Sequence, residues 1–260
     1  LADRLSANIE LPKASDLAAL APEKKLVTIE NTMQQIRVKV DEAEQERAKT
    51  RHAPAFARAG QSTQLVVGAT ESTDRDILTT ASHLYSAYKL KRIYYSGFSP
   101  FPKADARLPL QAAPLVREHR LYQADWLVRY YGFEASELTT SAEPNFHATE
   151  DPKLSWALRH REFFPVDVNV APREHLLRIP GLGYRNVQRL LSVRRYHRLT
   201  LADLAKLRVS LNRAKPFIVA ADYDSSALRI DSPALPRSIL APPQQLALFA
   251  SASAAVSGEI

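Results

Sequence analysis

The 260-residue chain is 45% hydrophobic and 24% charged, which predicts a folded globular protein with one large or two modest domains. It contains no cysteine, which excludes disulfide bonds and metal sites built on thiolates of this chain. It has no run of about 18 apolar residues and no signal-peptide pattern, so we expect no membrane contact and a cytoplasmic location. The formal net charge of +7 favours an acidic partner.

The amino-terminal residues resemble a segment from the middle of a domain's sequence. The chain begins at Leu1, and its only methionine is Met33. Arg4 to Leu11 already alternates apolar and polar residues, a pattern that predicts a β-strand. We therefore expect the chain to be a fragment of a longer product.

Strands and helices alternate through the rest of the first half. Residues 63–69 and 91–98 are typical of strands, and Thr73 is a predicted N-cap for a helix over residues 74–88. A further helix is predicted from Pro114 to Tyr131. Strands separated by helices predict βαβ units and a parallel sheet, with chemistry at the carboxyl ends of its strands.

Positive charge is concentrated between Trp156 and Pro216. This segment holds thirteen basic and four acidic residues, a net charge of +9, so the rest of the chain carries −2. Eleven of the thirteen are arginines, whose planar guanidinium groups suit bidentate contacts with phosphate. The distribution of charge therefore points to nucleic acid more strongly than the total does.

Within this segment, two short helices are predicted on either side of the turn Pro180-Gly181-Leu182-Gly183. Glycines allow the backbone to adopt conformations that side chains disfavour and to approach a ligand closely, and Leu182 is expected to point inward. Unpaired amide groups at the start of the second helix, together with the helix dipole, favour an anion there. Arginines on that helix would add phosphate contacts, which carry no sequence information.

Residues Leu176 to Arg195 resemble the helix-hairpin-helix family of DNA-binding modules, through the apolar-x-x-apolar-Pro-Gly-apolar-Gly pattern. The lead-in from Val166 to Ala171 is similar to the start of this module in competence-type DNA-uptake proteins. A glycine-free segment from Leu201 to Val209 resembles a second, degenerate hairpin, which we assign to packing. The alternative is a tight turn that serves only packing or protein binding. The residues that the resemblance assigns to DNA contact are Gly181, Leu182, Gly183, Tyr184, Arg185, Arg189, Arg194 and Arg195.

The residues of the first half alone indicate no catalytic constellation and no metal site. Three segments, residues 5–10, 60–71 and 94–100, nevertheless resemble the fourth, fifth and sixth strands of a radical S-adenosylmethionine (SAM) enzyme barrel. Their order, and the continuation through residues 117–126 into the hairpin, resemble the radical SAM proteins assigned to DNA modification or repair. This resemblance covers roughly residues 1–222.

The implied fold is α/β: the carboxyl-terminal half of a partial (βα)6 barrel, an all-α helix-hairpin-helix domain and a disordered tail. We predict the barrel part in residues 1–134, a linker in 135–150, the hairpin domain in 151–222 and the tail in 223–260. The implied cofactors are SAM and a [4Fe-4S] cluster. The residues matched to SAM contacts, whose apolar members would equally serve as barrel core, are Asn8, Glu10, Val66, Gly68, Glu71, Tyr95, Ser96 and Phe98.

The three-cysteine loop that holds the cluster in this superfamily has no counterpart in a chain without cysteine. The chain cannot ligate the cluster, so we expect it to be inactive alone, and the open sheet edges predict poor solubility. The leading hypothesis is the carboxyl-terminal part of a DNA-modifying or DNA-repairing radical SAM enzyme, with DNA and a DNA-repair enzyme as candidate partners. The alternative is a non-catalytic nucleic-acid-binding module on an α/β scaffold.

Overall fold

A computed structural model describes residues 2–50, 52–102, 105–225 and 239. The protein is mixed α/β, as predicted, and its described residues divide into two compact units. The first unit comprises residues up to 121 and residues 139–145, and the second comprises residues 122–138 and those from 146 onward. The division between Leu121 and Tyr122 falls within a helix, Leu115–Tyr130.

The first unit is built on a three-stranded parallel sheet with the strand order β1-β2-β3. Leu5 lies opposite Gln61, and Leu65 lies opposite Tyr95. The alternation of strands and helices confirms the predicted βαβ organisation, and no closed barrel is present among the described residues. The elements are β1 (Leu5–Ser6), α1 (Ala14–Leu20), α2 (Leu26–Lys49), β2 (Gln61–Val67), α3 (Asp74–Tyr88), β3 (Arg92–Gly97) and α4 (Leu115–Tyr130), which continues into the second unit.

Helix α3 begins where its sequence predicts. The hydroxyl of Thr73 accepts a hydrogen bond from the backbone amide of Asp76, and the Asp76 carboxylate accepts one from the amide of Thr73 at 2.9 Å. This reciprocal capping box satisfies two amide groups that a helix start otherwise leaves without partners. The predicted N-cap at Thr73 is confirmed.

The two faces of the first sheet differ in polarity. Leu65, Ile93 and Tyr95 are buried on one face, whereas on the other face the Gln64 amide donates to the Ser96 hydroxyl at 3.0 Å. Successive side chains of a strand point to opposite faces, so the first face is apolar and the second is mixed. The second face also carries Val66, which packs in an apolar cluster, and Tyr94, whose hydroxyl accepts a hydrogen bond from Arg4.

The outer edge of β3 is partly closed by side chains. The amide of Ile93 donates to the Tyr85 hydroxyl at 3.1 Å, and the amide of Gly97 donates to the Glu118 carboxylate at 2.8 Å. Edge strands with free donors recruit other strands, and occupied donors reduce that tendency. The exposed edge expected from the sequence is therefore restricted at β3.

The second unit contains a small sheet as well as helices, so its predicted all-α character is wrong. Strand β4 pairs with β5 in parallel, and β5 pairs with β6 in antiparallel orientation. The elements are α5 (Ala135–Leu138), α6 (Pro152–Arg159), β4 (Val166–Asp167), α7 (Arg173–Arg178), α8 (Tyr184–Val193), α9 (Leu201–Lys206), α10 (Leu211–Ala214), β5 (Ile218–Ala220) and β6 (Tyr223–Asp224).

Two predicted segments differ from the structure at their ends. The linker expected at 135–150 contains helix α5, and the tail expected from residue 223 begins with strand β6. The remainder of that tail, residues 226–238 and 240–260, lies outside the described residues. In the described part of the chain, no helix has both the length and the apolar character needed to cross a membrane.

Candidate nucleic-acid interface

The predicted hairpin consists of α7, the turn at residues 179–183, and α8. Leu182 in the turn is fully buried, together with Ile179 before it and Val187 on α8. The inward orientation predicted for Leu182 is therefore observed, and this side chain joins the two helices through apolar contact. The Leu182 side chain, which the family resemblance placed among the DNA contacts, is inaccessible to a ligand.

Gly181 is required by the protein's own backbone. Its φ is +82°, and a Cβ at this position would lie 2.7 Å from the carbonyl oxygen of Ser210. The amide of Ser210 in turn donates to the Gly181 carbonyl at 3.2 Å. The left-handed conformation and this close approach both exclude larger residues. The segment from Leu201 to Val209, assigned to packing, leads directly into this contact.

The amino terminus of α8 presents backbone donors. Gly183 is the N-cap in an extended conformation, with no side chain to cap the helix. The amide of Tyr184 donates to the Tyr131 hydroxyl at 2.9 Å. In the part of the chain that the structure describes, the amides of Gly183, Arg185 and Asn186 donate to no protein acceptor. Donors that converge at the positive end of a helix dipole form a favourable anion site.

Two buried side chains that the sequence did not single out hold the turn in place. The Lys153 amino group donates to the Leu182 carbonyl at 2.6 Å and lies 4.8 Å from the centre of the Tyr131 ring. Burial lowers the pKa of Lys153 well below its usual range and raises the pKa of the Tyr131 hydroxyl. A neutral Tyr131 hydroxyl remains available as the acceptor for Tyr184. The sequence signal that could have indicated α6 was Asp151-Pro152, an N-cap followed by proline.

The arginines predicted to bind DNA divide into two groups. Arg185 and Arg189 are exposed one turn apart on α8, and Arg195 is exposed just beyond its end. Arg194 is half-buried, and its guanidinium donates to the carbonyls of Val168 at 3.2 Å and Ala171 at 2.7 Å. Arg194 therefore attaches the end of α8 to the lead-in segment, whereas the other three remain free to meet phosphate.

Several other cations of the basic segment serve the fold. Arg178 pairs with Glu137 at 2.8 Å, and Arg213 pairs with the buried Asp151. The Arg173 guanidinium lies 5.1 Å from the centre of the Tyr184 ring, so the Tyr184 side chain already has a neighbour within the unit. The cations of this segment that are exposed are Arg185, Arg189, Arg195, Arg198, Lys206 and Arg208.

Three of the residues matched to SAM contacts lie on neighbouring strand segments: the Val66 amide donates to the Glu10 carbonyl at 2.7 Å, and Val66 lies opposite Ser96. Val66 and Phe98 pack in an apolar cluster with Leu11 and Leu17. Tyr95 is buried on the sheet face opposite Ser96. Packing within the fold therefore accounts for Val66, Phe98 and Tyr95 without a cofactor.

The polar members of the same set have partners within the fold or lie apart. The Glu10 carboxylate pairs with Lys24 at 3.1 Å, and the Asn8 side chain accepts from the Ser6 hydroxyl. Glu71 is exposed beyond the end of β2. A Cβ on Gly68, whose φ is +79°, would lie 2.8 Å from the Ala113 Cβ, so packing explains this glycine.

Among the described residues, no group of three or more His, Asp or Glu side chains could hold a metal ion. Comparisons with protein-family models, curated proteins and solved structures found no match. The amide and arginine arrangement at α8 is therefore the feature from which a function can be argued.

Proposed function

We propose that the hairpin binds the phosphate backbone of nucleic acid, with DNA as the expected ligand, without regard to base sequence. The observation that carries this proposal is the set of unpartnered amides at the start of α8, next to exposed arginines. Backbone amides and guanidinium groups both address phosphate oxygens, which are identical at every base pair. The buried Lys153 and Tyr131 support the proposal because they preorganise the turn before any ligand arrives.

The test is duplex binding by the double variant R185Q/R189Q, measured by fluorescence anisotropy across a series of salt concentrations. Each lost phosphate contact weakens the salt dependence by about 0.9, so the negative slope of log affinity against log salt should become shallower by about 1.8. The matched control is K39Q/K49Q, which removes the same charge from exposed positions on α2. An equal slope for the two double variants would contradict the proposal.

A third variant addresses the amides themselves. A bulky side chain in place of Gly183 should weaken binding to duplexes of unrelated sequence by a similar factor, because the turn reads no bases. Unchanged affinity for this variant would remove the hairpin from the interface.

We also propose that the first unit is the second half of a radical SAM-type partial barrel, so that the chain would be part of an enzyme of DNA modification or repair. The observation that favours this is the parallel sheet with strands in sequential order and helical connections. Tyr95 and Phe98 are buried and Glu10 pairs with Lys24, and no chemical step is assigned to this unit. An in-frame Cys-x3-Cys-x2-Cys upstream in the coding sequence would support the proposal, and its absence would favour the non-catalytic module.

A further inference from the structure

A second exposed surface lies at the carboxyl end of α8, opposite the end that carries the hairpin. Tyr196 is 88% exposed and Val170 is 74% exposed. These are large values for a tyrosine and a valine in structured segments, and tyrosine and arginine are enriched in binding sites relative to the rest of a protein surface. We call residues 168–171 and 194–199 the Tyr196 platform.

The exposure of Tyr196 is built into the fold by contacts on both sides of it. Arg194 donates to the carbonyls of Val168 and Ala171. The Asn169 side chain donates to the Leu199 carbonyl at 3.2 Å and accepts from the Leu199 amide at 2.7 Å. Four hydrogen bonds thus join the two segments of the platform. Two are made by Arg194, two residues before Tyr196, and two by Leu199, three residues after it. The ring is presented on a fixed base.

The charges around Tyr196 match a polyanion. Arg195 and Arg198 are both exposed, and His197 lies 3.3 Å from Asp203. Asp203 also accepts from Thr200 at the start of α9, so its carboxylate is already occupied by the fold. An aromatic ring with adjacent arginines is the combination that stacks on nucleobases while holding the backbone.

The distance between the hairpin turn and Tyr196 determines how many nucleotides would separate the phosphate contact from the stacked base. Helix α8 has ten residues, which correspond to about 15 Å along its axis. This length matches roughly four nucleotides at about 3.4 Å each. A base inside an intact duplex is stacked on its neighbours and can meet a ring only after costly unstacking. A base at a gap or in a single strand is available.

We propose that Tyr196 stacks on an unpaired nucleobase while the hairpin holds a phosphate of the same DNA, which gives the protein a preference for gapped or single-stranded DNA. This inference rests on the proposed backbone binding by the hairpin. It assigns the substrate class of that site, DNA with an interrupted strand.

The test compares the full chain with Y196A on a blunt 20-base-pair duplex, the same duplex with a four-nucleotide gap, and a 20-nucleotide single strand. We expect the unaltered chain to favour the gapped and single-stranded DNA, and Y196A to lose about 5- to 100-fold in affinity for these two. Blunt-duplex affinity should change by less than about twofold. The variant Y196F keeps the ring and should behave like the unaltered chain.

A 2-aminopurine base in the gap provides a direct readout, because its fluorescence falls when it stacks on an aromatic ring. Quenching on binding by the unaltered chain and Y196F, and its loss in Y196A, would support the proposal. Equal affinities of Y196A and the unaltered chain for gapped DNA, with R185Q/R189Q weakened, would overturn the platform and leave the hairpin's role intact. Absence of any DNA binding by the unaltered chain would overturn both.

Discussion

At the scale of single residues, the hairpin depends on side chains beneath it. Lys153 is almost completely buried, and its amino group reaches the Leu182 carbonyl, while the Tyr131 hydroxyl reaches the Tyr184 amide. Either bond alone would fix one point of the turn. Together they orient the amides at the start of α8, so the proposed anion site would be preorganised by residues that do not touch the ligand.

The buried Lys153 should make stability depend on pH. Burial lowers its folded-state pKa below the unfolded value near 10.5, so between these two pKa values the unfolded chain binds more protons. The free energy of unfolding should therefore rise with pH in that window and carry the full penalty below the folded pKa. We expect the difference in the free energy of unfolding between the unaltered chain and K153M to change with pH up to about 10.5. Urea denaturation at a series of pH values measures this difference. If plots of the free energy of unfolding against pH stay parallel for the two proteins across this range, the pKa of Lys153 is not lowered in the folded state.

At the scale of elements, the carboxyl end of α8 is fastened by Arg194, in contrast to the free arginines nearer its start. The variant R194Q loses charged hydrogen bonds to two carbonyls and should lower the free energy of unfolding by about 1.5–3 kcal/mol. The control R189Q removes an exposed arginine from the same helix and should change it by less than about 0.5 kcal/mol. Chemical denaturation followed by circular dichroism measures both, and equal effects would contradict a structural role for Arg194.

The elements also show which features a sequence can predict. The helix after Thr73 and the inward Leu182 follow from local patterns, namely capping residues and apolar spacing. Strand β4 lies in a segment, residues 166–171, that alternates apolar and polar residues, but no local pattern predicts its pairing with β5 about fifty positions later. The bonds from Lys153 and Tyr131 likewise join distant segments.

The candidate site likewise has some features that the local sequence predicts and others that depend on contacts between distant segments. The turn Pro180-Gly181-Leu182-Gly183 predicted the two helices beside it, and Arg185 and Arg189 were predicted one turn apart on the second. The structural role of Arg194 and the reason for Gly181 required the positions of Ala171 and Ser210, which only the folded chain provides. A residue type suited to phosphate is equally suited to backbone carbonyls, so composition could not separate the two roles.

At the scale of the whole molecule, the net charge of +7 combines a segment of +9, residues 156–216, with a remainder of −2. Six cations of that segment are exposed: Arg185, Arg189, Arg195, Arg198, Lys206 and Arg208. If all six contact duplex phosphates, the slope of log affinity against log salt reaches about −5.4, and two contacts give about −1.8.

We therefore expect a measured slope between these limits for a blunt duplex, because the other cations of the segment serve the fold or lie half-buried. Anisotropy titrations from low to physiological salt provide the value, with a chloride-to-acetate exchange as a control for anion binding. A slope much steeper than −5.4 would require contacts from the less exposed cations of residues 156–216 or from cations outside that segment. The net charge of −2 outside the segment opposes the second source, since net negative charge repels the phosphate backbone.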